Sequence, residues 1–154
     1  MFEYIRVSTQ EEYEAAASLI KEYADWLNID LAFQKFSEEL LQLKKMYGPP
    51  FGGIILVKSE SNYIGSIAIR KIDAATAELK RMYVKSDYQQ HGIGSKLLEE
   101  ALEMAKNYGY RKIQLDTLSN MLPAISLYRK NGFYEIPAYY FNPEKTAVYF
   151  EKIL

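Results

Sequence analysis

The sequence predicts an α+β fold: a central mixed, mostly antiparallel sheet of about seven strands flanked by four helices, in the order β-α-α-β-β-β-α-β-α-β-β. Three observations lead there. The apolar period switches between helical spacing, as in Tyr13, Ala16, Ala17, Ile20, Tyr23, Ala24 and Leu27, and strand runs such as GIILVK and YIGSIAIR. The central strand runs are joined by short polar turns, which suit antiparallel neighbours. The later runs are separated by helical stretches, which suit a parallel crossover. No repeat, linker or low-complexity segment interrupts the 154 residues, so residues 1–154 form one domain with its own core.

Each element has a local cause. Phe2–Val7 alternates as a short strand. Ser8 or Thr9 can cap the next helix, and Glu11 and Glu12 fall in its first turn, where the helix dipole favours negative charge. Asn28 and Asp30 end that pattern. A second helix is predicted over Phe33–Met46, with Phe36, Leu40, Leu43 and Tyr47 on one face, stopped by Gly48-Pro49-Pro50. Gly53–Lys58, Tyr63–Arg70 and Thr76–Val84 then read as an antiparallel meander. The Ser95–Tyr110 helix buries Leu97, Leu98, Ala101, Leu102 and Ala105, with Ile93 just ahead of it, and Gly109 is a natural stop. Arg111–Asp116 follows a helical crossover and is expected parallel to Thr76–Val84, with a right-handed connection. A short helix over Leu122–Lys130 and strands at Phe133–Ile136 and Ala147–Ile153 complete the chain.

Composition removes several functions. Nineteen basic and twenty acidic residues leave a net charge of −1, with no basic arm, so nucleic acid is not expected as a partner. There is no cysteine and one histidine, so a disulfide framework, a thiolate zinc site, a Cys nucleophile and a His-based metal cluster are not expected. No apolar run reaches membrane-spanning length and no signal peptide is evident, so a cytoplasmic location is expected.

The chemistry centres on Gln89-Gln90-His91-Gly92-Ile93-Gly94, between the Thr76–Val84 strand and the following helix. Strand, glycine turn and helix start together make an anion site, because the first helical amides lack intrahelical partners. The dinucleotide fingerprint fails, since Leu97 stands where its third glycine belongs. The P-loop fails on order and spacing at Gly94-Ser95-Lys96. Taken alone, the remaining pattern fits a phosphate loop and an ordinary glycine-capped turn equally well.

Gln89-x-x-Gly92-x-Gly94 resembles the [QR]-x-x-G-x-[GA] signature of the GNAT superfamily of acyl-CoA N-acyltransferases. Three flanking stretches resemble the same family: Glu78–Val84; Leu115-Asp116-Thr117 with Asn120 and Ala124; and Leu127-Tyr128 with Gly132-Phe133. The order of elements matches it as well. Asp30-Leu31-x-Phe33-Gln34 with Pro49-Pro50, and Pro137-x-Tyr139-Tyr140-x-Asn142-Pro143, resemble a bacterial-type subgroup of unassigned substrate.

The resemblance implies the GNAT fold, acetyl-CoA as co-substrate and acetyl transfer to a primary amine of a small molecule or peptide. The alternative is a non-catalytic acyl-CoA-binding or regulatory domain on the same fold. Backbone groups of Met82 and Val84 would pair with the pantetheine arm. An N–H near Tyr83 or Val84 would polarise the thioester carbonyl. Amides of Gln90, Gly92, Ile93, Gly94 and Ser95 would hold the pyrophosphate, with Gln89 closing the loop.

Tyr128 is the expected general acid, because a phenol suits protonation of a leaving alkyl thiolate. Glu78 is the expected base, directly or through water, although a solvated strand charge explains it equally well. Asn120 is expected to contact the cofactor, or else to cap the next helix. Arg81 would hold a substrate carboxylate if it faces the cleft. Trp26, Phe33, Tyr139 and Tyr140 would wall the acceptor pocket, or simply pack in the core. His91 lies in the loop, too early for the chemistry. The tyrosine-rich C-terminal hairpin suggests a homodimer.

Overall fold

The computed structural model describes residues 1–27 and 36–154. Strands β1 (Phe2–Arg6), β2 (Gly53–Ser59), β3 (Asn62–Lys71), β4 (Thr76–Val84), β5 (Lys112–Leu118), β6 (Tyr134–Ile136) and β7 (Ala147–Ile153) form one sheet. Its spatial order is β1-β2-β3-β4-β5-β7-β6. Every pairing is antiparallel except β4 with β5. The meander, the parallel pair and the count of seven strands are as the apolar pattern predicts.

Helices cover both faces. Helix α4 (Ile93–Asn107) turns Ile93, Leu97, Leu98, Ala101, Leu102, Met104 and Ala105 onto the sheet. They join Ile55, Val57, Ile67, Ile69, Ile113, Leu115 and, from α5 (Leu122–Lys130), Tyr128 in one core. On the other face α1 (Gln10–Leu27) buries Tyr13, Ala16, Leu19 and Ile20 against Ile54, Leu56 and Ala68. Strand alternation does the sorting: Ile54 and Leu56 face α1, while Ile55 and Val57 face α4. Among the described residues no helix is long and apolar enough to cross a membrane.

Helix α1 starts where a cap was expected, by a reciprocal device. Thr9 Oγ1 accepts the Glu12 amide at 3.1 Å, while Glu12 Oε1 accepts the amides of Ser8 and Thr9 at 2.8 and 3.0 Å. The predicted second helix is divided into α2 (Phe36–Leu41) and α3 (Leu43–Tyr47). Between them Gln42 leaves helical geometry at φ −130°. Its amide takes the Glu39 carbonyl three residues back, a tightened turn that ends α2. Phe33, where that helix was expected to begin, lies outside the described residues, as does Asp30-Leu31-x-Phe33-Gln34.

Strand β4 carries the irregularity that shapes the site. Ala68 faces Lys80 and Ser66 faces Tyr83, so β4 holds one extra residue over this stretch. Arg81 sits in the bulge with φ +58°. A left-handed arginine costs roughly 1–2 kcal/mol. Two contacts hold it there. Its guanidinium grips the buried Glu39 carboxylate at 2.8 and 2.9 Å, and Ser66 Oγ donates to its carbonyl at 3.2 Å.

Candidate active site

The site begins where β4 and β5 part. They pair only at Thr76–Lys112, Ala77–Ile113 and Glu78–Gln114. Beyond that rung β5 continues alongside β7 as far as Leu118, and the bulged half of β4 runs on without β5 beside it. A fork opens between the carboxyl ends of two parallel strands, a usual place for ligands in such sheets.

Two adjoining depressions occupy the fork and share Tyr23, Met82 and Met121 in their walls. The larger, about 430 Å³, runs past Met82, Tyr83 and Val84 to Gln89, Gln90, Gly92, Ile93 and Gly94, with Asn120 and Leu127 opposite. Ser95 follows as the third residue of α4. No side chain caps this helix. Among the described residues its first-turn amides therefore have no side-chain acceptor, and the dipole adds positive potential. Gln90 and Gly92 have φ of +68° and +76°, which curls the loop at the helix start. Gln89 Nε2 donates to the Val84 carbonyl at 2.9 Å and ties the loop back to β4. An elongated apolar groove ending in uncapped amides fits a pantetheine arm and its pyrophosphate. Asn120 is not the helix cap: Met121 holds that position, and Asn120 stands in the groove wall.

The smaller depression, about 70 Å³, is lined by Tyr23, Leu79, Lys80, Arg81, Asp116, Tyr128, Asn142 and Glu144 among others. Tyr128 is buried, its ring packed on Phe133 and Phe150. Its hydroxyl has the weak acceptor Met82 Sδ at 3.9 Å. Burial pushes the phenol well above its ordinary value, with the nearby Tyr23 and Asp116 adding to the rise. The hydroxyl keeps its proton at any physiological pH.

The structure revises other expected roles. Glu78 stands on the last paired rung, 2% exposed, and lines neither depression. Arg70 Nε at 2.8 Å and Lys80 Nζ at 4.0 Å hold its Oε1, and the Tyr139 hydroxyl donates to Oε2 at 2.7 Å. It lies too deep, with both oxygens engaged, for direct contact with an amine. Arg81 borders the cavity, but its guanidinium is committed to Glu39 rather than open to a substrate carboxylate. Tyr139 and Tyr140 wall neither depression, because their hydroxyls are turned onto Glu78 and Asp116. Trp26 borders the long groove rather than the acceptor cavity, stacking on Tyr23 beside Tyr83. Phe33 lies outside the described residues.

Tyr23 and Asp116 are among the residues of the cavity wall to which sequence reasoning gave no role. Tyr23 is one of several apolar-stripe residues of α1, and nothing in the pattern marks it as the one reaching the fork. Asp116 lies in a stretch noted for its family likeness, which is the signal that could have found it.

A model of the acetyltransferase (GNAT) family matches residues 15–133. An uncharacterized N-acetyltransferase of Schizosaccharomyces pombe is 31% identical over 145 residues, spanning 93% of this chain and 89% of the relative. The spermidine N(1)-acetyltransferase of Thermoplasma acidophilum is 32% identical over 114 residues, 73% of this chain and 68% of the relative. Among solved structures, an acetyltransferase from Streptococcus agalactiae superposes with a TM-score of 0.82 at 22% identity, covering 99% of this chain and 98% of that one. The PaiA N-acetyltransferase of T. acidophilum in complex with coenzyme A gives 0.76 at 23%, covering 100% and 99%. The chain belongs to the GNAT acetyltransferase family. It is an N-acetyltransferase that takes its acetyl group from acetyl-CoA and delivers it to an amine.

Proposed function

We propose that the chain transfers acetyl directly from acetyl-CoA to a primary amine of a small molecule or peptide in the cytoplasm, with Tyr128 as general acid. One observation carries this reading: the groove that ends at the uncapped start of α4 adjoins the cavity holding the Tyr128 hydroxyl. A donor held along Met82–Val84 and by the amides of Gln90–Ser95 brings its thioester to that junction. Asn120 steadies it from the opposite wall. The backbone N–H groups at Tyr83 and Val84 stabilise the carbonyl oxygen as charge develops on it. Tyr128 then protonates the departing sulfur. The burial that raises the phenol also disfavours a thiolate in the same place, so the transfer stays near balance. With no cysteine in the chain, no acyl-thioester on the enzyme intervenes.

The test is calorimetric titration of acetyl-CoA, with desulfo-CoA and ATP as controls, followed by thiol release from acetyl-CoA with a panel of amines. The panel holds amino acids, a peptide amino terminus, a lysine peptide and, because of the Thermoplasma relative's name, spermidine. Binding of both CoA ligands but not ATP, with thiol release for one class of amine, supports the reading. CoA binding without thiol release from any amine favours the non-catalytic alternative. The same purified protein, analysed by sedimentation, tests a homodimer.

A further inference from the structure

Glu78 is too deep to take an amine's proton by direct contact, yet an amine needs somewhere to leave one. The strand register points to another carboxylate. Glu78 is opposite Gln114 on the last rung where β4 and β5 pair. Side chains on one face of a strand recur every second residue, so Asp116 shares the face of Gln114 and stands about 7 Å farther along β5. That step carries it past the paired region into the cavity wall. The odd-numbered neighbours Ile113 and Leu115 face the α4 core, which leaves Asp116 on the α1 side. Tyr128 approaches from the α4 and α5 side. Because the sheet is open between the strands, groups from its two faces line one cavity.

The hydrogen bonds of Asp116 leave one oxygen for a ligand. Oδ2 accepts the Tyr140 hydroxyl at 2.7 Å and Asn142 Nδ2 at 3.2 Å. Among the described residues no donor is bonded to Oδ1. The carboxylate is thus oriented by one oxygen and available through the other. The tyrosine–asparagine pair that holds it comes from the segment between β6 and β7, which was expected to wall the pocket.

We propose that Asp116, rather than Glu78, receives the proton of the acceptor amine. This rests on the transferase reading above. The bound ammonium gives one proton to Asp116 Oδ1, and the freed nitrogen lone pair forms a bond to the thioester carbonyl carbon, whose oxygen takes the negative charge. The nitrogen of the adduct then releases its second proton to solvent. As the carbonyl re-forms, the C–S bond breaks and the sulfur takes the Tyr128 proton. The products are the amide and CoA thiol. Asp116 and Tyr128 then exchange protons with solvent, and no oxidant or further reactant is needed.

The experiment compares Asp116→Asn, Asp116→Glu and Glu78→Gln in the whole chain, using the fastest amine of the panel and hydroxylamine as a second acceptor. Hydroxylamine is already neutral at pH 7 and needs less help with its proton. Removing a general base lowers turnover by roughly 100-fold or more. For Asp116→Asn the amine kcat/KM falls by that factor and acetyl-CoA affinity holds within about twofold. Hydroxylamine turnover falls less than about tenfold, and Asp116→Glu recovers part of the loss. Glu78→Gln, assayed below its own unfolding midpoint, loses less than about tenfold with either acceptor. Equal losses with amine and hydroxylamine would make Asp116 structural and overturn the proposal. So would an Asp116→Asn enzyme more active than Glu78→Gln. A parent enzyme that binds acetyl-CoA but releases thiol with no acceptor would overturn the transferase reading itself.

Discussion

Gly92 offers a quantitative test of the pyrophosphate loop. Its backbone is left-handed, φ +76° and ψ 7°, and a Cβ placed there would meet nothing within 4 Å. A substitution therefore costs conformational energy and creates no clash inside the protein. For alanine the left-handed cost is roughly 1–2 kcal/mol, and it is larger for a β-branched residue. Where that cost is read depends on the loop. If the free loop stays left-handed, the strain lowers stability and leaves affinity alone. If the exposed loop relaxes, the strain must be restored on binding, and acetyl-CoA affinity drops by about 5- to 30-fold. The open surroundings of Gly92 favour relaxation, so calorimetry should find most of the loss in affinity. Gly92→Asn, which tolerates this conformation, should recover most of it, and Gly92→Val should be worst. Acetyl-pantetheine, which has no pyrophosphate, should bind equally to all of them. Gly94→Ala makes a useful contrast. Its Cβ would stand 3.3 Å from Met82 Cε, a flexible end that can shift, so affinity should change by no more than about threefold. If Gly92→Asn were as poor as Gly92→Val, or if acetyl-pantetheine weakened in parallel, the loop would not be holding pyrophosphate in this way.

Four further outcomes are expected. Tyr128→Phe should lower kcat by roughly 100-fold while acetyl-CoA affinity is kept; unchanged turnover in thiol-release assays would remove Tyr128 as the acid. Because burial raises the Tyr128 phenol, kcat should show no descending limb from this group below about pH 10; such a limb, absent in Tyr128→Phe, would contradict the burial argument. Burial pushes the Glu39 carboxyl up, but the Arg81 hydrogen bonds and charge outweigh it and the net shift is downward. The pair therefore stabilises the fold above the ordinary carboxyl range and stops doing so as pH falls below about 4. Glu39→Gln should cost about 3–5 kcal/mol at neutral pH, seen as a large drop in Tm, with Glu39→Gln/Arg81→Met partly restored. Thr9→Ala should cost about 1 kcal/mol, a Tm decrease of about 2–4 °C, with activity unchanged at assay temperature.

Local chemistry made most of the fold legible. Thr9 and Glu12 announce the start of α1, Gly48-Pro49-Pro50 ends α3, and the alternation through β2 and β3 sorts their residues to two faces. The glycine loop and Tyr128 were legible because each sits in a short run of specific residues. Gln42 was not, because a single residue leaving helical geometry changes no apolar period. Arg81 was not, because its left-handed bulge depends on Glu39, 42 positions earlier in the chain. Tyr23 has the same pattern as the other stripe residues of α1, and only the parting of β4 and β5 selects it.

The choice between two carboxylates shows where pattern reading stops. Alternation tells which face of a strand a side chain occupies, and by that measure Glu78 and Asp116 are equivalent: both face α1. What separates them is depth along the fork, and depth is set by the last rung at which β4 and β5 still pair. That rung is Glu78–Gln114. One side-chain step below the opening, a carboxylate is enclosed by Arg70, Lys80 and Tyr139 and becomes a structural anion. One step above, a carboxylate keeps an oxygen for the cavity while Tyr140 and Asn142 fix its orientation. The bulge at Arg81 helps make that difference, because an extra residue re-aims the upper half of β4 just beyond the paired rungs. The Glu39–Arg81 pair that holds the bulge therefore supports the fork geometry as well as the fold. Weakening it should disturb acetyl-CoA binding and catalysis together, whereas Asp116→Asn should separate them.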